Sequence, residues 1–296
     1  MARPTEEDFV EFLRSLLKLA RLHDDYMAEL LDHKNVREFT RAFTHPSKNP
    51  DPKKNYQLYE FLGDPVINAF VVFYLRERFP RITSEKWLTK IKHNLIGKKE
   101  LAKQAAKHGL ERFILYGEEI NESLRLNRDR LTNVPYLSML EDVMEAFFGC
   151  LVVCVQNTGR SHGVAIEICH RILHAFFDNE VINLVYEDIF DPISRLKEIA
   201  ESSAIGLRWP SDRLYQITNI KGMQENEANS VKVTVYGWPL NDRKFDQSAP
   251  HRNRVQLAEA FGPDKAETKQ RATKIALDVL KKKYNIEDIK SHPYDE

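Results

Sequence analysis

The chain has 296 residues, 42% of them hydrophobic and 30% charged, with 11 Gly and a formal net charge of zero at pH 7. That composition excludes a disordered or fibrous protein, and the length suits one large or two ordinary domains with a substantial core. No apolar run approaches a membrane span, and the acidic start, Thr5-Glu6-Glu7-Asp8, is unlike a signal or transit peptide, so an intracellular protein is expected, in cytoplasm or nucleus and not secreted.

Residues 6–22 place Phe9, Phe12, Leu13, Leu16, Leu17 and Ala20 at helical intervals and predict an opening amphipathic helix. After a Pro-rich loop at 49–52 comes a helix over about 55–79, ending near Pro80. Its first half reads Asn55-Tyr56-Gln57-Leu58-Tyr59-Glu60-Phe61-Leu62-Gly63-Asp64, two acids one turn apart among apolar neighbours. Pro65 follows directly; it removes a backbone donor, crowds the Phe61 carbonyl and predicts a kink. Ser84 offers an N-cap for a helix over 86–108, with Glu85 in its first turn. The helix predicted over 134–157 contains Leu140-Glu141-Asp142-Val143-Met144-Glu145-Ala146, a second acid pair at helical spacing. A further helix spans 161–178.

Acids embedded in apolar helices belong to a pocket or to an ion-pair network. If the two helices pack together, Glu60, Asp64, Asp142 and Glu145 form one cluster, which repels itself unless protons or a divalent cation neutralise it. Such oxygen ligands suit Mg²⁺ or Mn²⁺. Cys150, Cys154 and Cys169, odd in number and in apolar helical settings, read as buried thiols of a reducing compartment.

The last hundred residues change character. Residues 181–190 read as a linker and Asp191-Pro192 starts a helix through about Ser203. Strands are predicted at 213–220, 230–236 and 253–260, the middle one alternating as a half-buried strand does. A final helix, 264–283, buries Ala272, Ile275, Ala276, Val279 and Leu280 by its spacing. Charge is uneven: residues 1–190 hold 26 Lys and Arg against 28 Asp and Glu, while residues 191–290 hold 18 against 14. The basic excess is confined to the C-terminal third, a modest footprint for nucleic acid.

The first acidic segment resembles the ribonuclease III signature, whose usual form is Asn-Glu-Arg-Leu-Glu-Phe-Leu-Gly-Asp. The second is similar to that family's downstream Asp-x-x-Glu helix, and Ala42-Phe43-Thr44-His45-Pro46-Ser47 to its Ala-Leu-Thr-His-x-Ser segment. The resemblance implies an all-α ribonuclease III nuclease domain over 35–180, after a helical extension at 1–34. A small α+β (α-β-β-β-α) double-stranded-RNA-binding domain over 191–285 and a tail at 286–296 complete it.

It further implies a homodimeric endoribonuclease on double-stranded RNA. Glu60, Asp64, Asp142 and Glu145 would be its catalytic, metal-binding carboxylates around two Mg²⁺ (Mn²⁺ substituting), with Glu145 a direct or bridging ligand. Products would carry 5′-phosphates and a short 3′ overhang. Gln57 stands where the family has an acid, and Glu85 matches a further family acid after a one-residue shift. His45 is expected to make a structural hydrogen bond, and Phe61 to enter the partner subunit. Arg195, Lys197, Lys265 and Lys269 would meet RNA, although Ala266 replaces a family Lys, and the loop 221–229 carries Glu225 and Glu227 and lacks a family His. Lys281, Lys282 and Lys283 read as a solvated helix end. The alternative is a non-catalytic relative that binds duplex RNA or serves a ribonucleoprotein as a structural subunit.

Overall fold

The structure is a computed structural model and describes residues 4–127, 133–202, 213–220, 230–237, 254–286 and 293–294. It divides into two compact units, Met1–Ile182 and Asn183–Glu296.

The described part of the first unit is helical. Thr5 opens α1 (Glu6–Leu19) with a capping box, its N–H donating to Asp8 at 2.8 Å while the Asp8 N–H donates to Thr5 Oγ1 at 3.1 Å. Then come α2 (Asp24–Leu30) and α3 (His33–Ala42), capped by His23 and Asp32, and the long α4 (Gln57–Arg78). α5 (Glu85–Leu95), α6 (Lys98–Lys107), a 3₁₀ turn (Leu110–Phe113), α7 (Glu118–Leu126), α8 (Val134–Asn157) and α9 (His162–Phe177) complete the unit. The periodicity did not announce α2, α3 or α7, which are short and offer few apolar positions.

The helix expected over 86–108 is two helices. Gly97, extended at φ −66° and ψ 154°, breaks it and serves as the N-cap position of α6. Ser84 takes the N-cap position of α5 but makes no capping bond with its side chain. The helix expected to kink at Pro65 runs unbroken from Gln57 to Arg78, with Pro65 on its exposed face, where a missing donor is tolerated. By length and apolarity α4 could cross a membrane, the one such helix among the described residues, where none was expected. Its buried face, including Tyr59, Val66, Ile67, Phe70 and Val71, packs on α8 and α9 and accounts for that apolarity.

α8 is the axis of this unit. It is apolar nearly all round, as a helix enclosed by neighbours must be, with α3, α4, α6 and α9 packed about it. Cys150, Cys154 and Cys169 are free thiols buried in this core. A parallel bridge, Thr44 to Leu115, ties the segment before α4 to the segment after the 3₁₀ turn.

In the second unit α10 (Tyr186–Ile189) and α11 (Pro192–Glu201) precede β1 (Tyr215–Ile220), β2 (Ser230–Gly237), β3 (Val255–Gly262) and α12 (Lys265–Tyr284). The sheet is antiparallel in the order β1-β2-β3, with Ile217 opposite Val233 and Val233 opposite Ala260. Leu196, Ile199, Val233, Val235, Ala272, Ala276 and Leu280 share its core. Ile275, expected inside, is 41% exposed at the margin of the stripe that α12 buries. Much of the expected linker is folded: Tyr186, Ile189 and Phe190 are buried, and the Tyr186 hydroxyl donates to Glu198 at 2.6 Å.

Candidate active site

Two glycines decide how closely α4 and α8 cross. A Cβ on Gly63 would lie 1.8 Å from the Glu145 carbonyl oxygen, and one on Gly149 would lie 2.0 Å from the Tyr59 carbonyl oxygen. Any other residue at either position would force the helices apart, so here main chain meets main chain. Gly63 sits between Glu60 and Asp64, and Gly149 lies one turn beyond Glu145. The crossing thereby turns both acid pairs toward each other.

Electrostatics report that juxtaposition. The Glu60 carboxyl is pushed up to about 7, first by burial and then by Asp142, Glu141 and Asp64. Glu145 is pushed up to about 8, again first by burial and then by Asp64, Glu141, Asp142 and Glu60. Asp142 is raised by burial, opposed by the Tyr56 hydroxyl, which donates to it at 2.6 Å. Asn68 Nδ2 donates to Asp64 Oδ1 at 2.6 Å. Glu141, a fifth acid, pairs with Lys98 Nζ at 2.7 Å.

Each carboxylate is thus held by its own neighbour or stands alone. Among the described residues no three acidic, His or Cys side chains form a ready-made ion cage. The donor set is nonetheless the right chemistry for a hard divalent cation: all oxygen, with Glu60, Asp142 and Glu145 raised first by burial. Glu60, Asp64, Asp142 and Glu145 are the residues that could hold Mg²⁺ or Mn²⁺.

The remaining sequence candidates fall variously. Gln57 is exposed, one turn before Glu60. Glu85 is exposed at the first position of α5 and is not among the main charges acting on Glu60, Asp142 or Glu145. His45 is structural in its geometry. Its Nδ1 accepts from the Ser47 N–H at 2.9 Å and meets Ser47 Oγ at 2.7 Å, while the ring stands edge-on to Tyr56 at 5.5 Å. Phe61 is 75% exposed.

In the second unit Lys197 is exposed and lies 3.9 Å from Glu201. Arg195 is half-buried on the same helix. Lys265 opens α12, where the Asp264 carboxylate already accepts the Glu267 N–H at 2.7 Å, adding negative charge to that helix end. Lys269 is held 4.1 Å above the Tyr215 ring. The loop with Glu225 and Glu227 lies outside the described residues.

Sequence reasoning missed Tyr56, Glu141, Lys98 and Gly149. Tyr56 was readable, one turn before Glu60 on the same helix. Gly149 also left a trace, since a mid-helix Gly costs about 1 kcal/mol against Ala unless close packing needs it.

Comparison with known proteins relates the chain to others. Residues 57–156, which hold all four acids and both glycines, match the family model described as Ribonuclease III domain. The chain is 27% identical to a candidate ribonuclease 3 of Invertebrate iridescent virus 6, over 95% of this chain and 89% of that one. It is 24% identical to the ribonuclease 3 of Oenococcus oeni, over 83% and 94% of the two chains. Among solved structures, the nuclease domain of ribonuclease III from Campylobacter jejuni is 28% identical with a TM-score of 0.37, covering 50% of this chain and 90% of that one. Residues 57–156 therefore carry a ribonuclease III domain, and the chain is a ribonuclease, a hydrolase.

Proposed function

We propose that the protein cleaves double-stranded RNA endonucleolytically, using Mg²⁺ held by Glu60, Asp64, Asp142 and Glu145. Two such ions, when bound, supply a Lewis acid for the phosphoryl oxygens and an activated water. The observation that carries the reading is the set of carboxylates gathered at the Gly63–Gly149 crossing, with Glu60 and Glu145 lifted to about 7 and about 8 by burial and by one another's charge.

The chain's own groups have distinct tasks. Tyr56 orients Asp142 from the side facing His45, and Asn68 orients Asp64. Glu145, half-buried on α8 beside Asp142, would be one of the residues that hold the metal. Nothing in the pocket calls for a covalent nucleophile.

Duplex cutting follows if two copies present their pockets across one cleft. Leu58, Phe61, Val72 and Phe73 give α4 an outward apolar face, 48%, 75%, 52% and 61% exposed, and a second copy is the occupant we assign. The second unit, with the element order of a double-stranded-RNA-binding domain, would add weak, salt-dependent contacts through Arg195, Lys197 and Lys265. End analysis of the products tests the reaction. Duplex RNA should yield 5′-phosphates and a short 3′ overhang while a single strand of equal length survives; equal cutting of both would refute the duplex reading.

A further inference from the structure

Lys98 stands apart from the other basic residues of α5 and α6. It occupies the first position of α6, followed by Lys99, so two cations crowd the positive end of a helix that has no side-chain cap. That placement gains the helix nothing. Across from it, on α8, Lys98 Nζ donates to Ser138 Oγ at 2.7 Å and pairs with Glu141 at 2.7 Å, where the Glu141 side chain is only 19% exposed. Ser138, Asp142 and Glu145 recur at helical spacing along α8, so the ammonium lies beside the stripe that carries the acids. Its charge acts on Asp142 and Glu145, and Glu60 feels it in return.

Five carboxylates therefore meet at this crossing and one of them is already matched by a cation. We propose that Lys98 is a positioning residue of the pocket: it neutralises Glu141 and holds it against α6, leaving four acids to bind metal and fixing how tightly they do so. The inference rests on the metal-dependent reading above and adds that pocket charge is set from α6. An ordinary surface ion pair would carry no such consequence, since exposed pairs contribute little to stability.

Opposite single changes give the test, read as Mn²⁺ binding to the full chain by electron paramagnetic resonance, without substrate. Lys98→Met leaves Glu141 unpaired beside the pocket and should tighten Mn²⁺ binding, roughly tenfold for one charge at this range. Glu141→Gln leaves the ammonium unpaired and should weaken binding by a similar factor. The double variant should return to within about threefold of the parent, because the two opposite charge changes cancel. Lys98→Arg should behave as the parent. KM for duplex RNA should be unmoved in Lys98→Met.

Shifts of the same sign in both single variants, or a raised KM with unchanged Mn²⁺ affinity, would overturn the assignment in favour of a packing or RNA-contact role. A Lys98→Met chain too unstable to assay leaves Glu141→Gln to decide: weakened Mn²⁺ binding at the parent's Tm supports the assignment and unchanged binding overturns it. If the parent binds no Mn²⁺, the metal-dependent reading fails first and this one with it. If the parent binds and the single variants do not diverge, this one fails alone.

Discussion

At the scale of single residues, the pocket is a place where charge is uncomfortable without a cation. Glu60 and Glu145 titrate near 7 and 8 in the folded chain against an ordinary 4.5. Between those values the folded chain keeps protons that the unfolded chain has released, so stability falls as pH rises through that window. Calorimetry of the protein in chelator should show Tm declining between about pH 5 and 8, with Glu145→Gln flattening the decline and Mg²⁺ restoring Tm at the upper end. A Tm that rises over that range would contradict the burial of these acids. Tyr56→Phe removes one donor from Asp142 and should cost about 1 kcal/mol of stability. It should lower kcat more than KM, because it changes the orientation of a ligand and no contact with RNA.

At the scale of elements, the decisive contact is between helices. Gly63→Ala and Gly149→Ala each place a methyl group within 2 Å of a main-chain carbonyl oxygen. Each should cost on the order of 3 kcal/mol, the upper range for overpacking, and abolish cleavage although all four acids remain. Denaturant melts beside cleavage assays check this, and a stable, active Gly149→Ala would show that the close crossing is dispensable.

This scale also shows what the sequence disclosed. The acids at 60, 64, 142 and 145 were legible because apolar neighbours fixed their face, and α8 was read at 134–157 because its periodicity is long. Gly97, Glu141 and Lys98 were opaque for the opposite reason. A break between two helices, or a partner on another element, leaves no period in the chain. Tertiary proximity likewise folded residues 183–190 into the second unit.

At the scale of the whole molecule, the outward face of α4 is the feature that water least tolerates. Phe61→Asp puts a charge at its most exposed position and should turn a dimer into a monomer by sedimentation, with loss of double-strand cleavage but an intact fold by circular dichroism. A monomeric parent would remove the two-pocket arrangement. Lys269 is held over the Tyr215 ring while Lys197 is exposed, so deleting the second unit should raise KM for RNA more at low salt than at high. The most direct measurement uses long duplex RNA with Mg²⁺, parent beside Glu145→Gln. The parent should cut, the variant should bind RNA and lose cleavage by at least about a thousandfold, the scale expected for losing a metal-held charge at the reacting centre. Intact RNA with the parent in both Mg²⁺ and Mn²⁺, or full activity in the variant, would contradict a site built from these carboxylates.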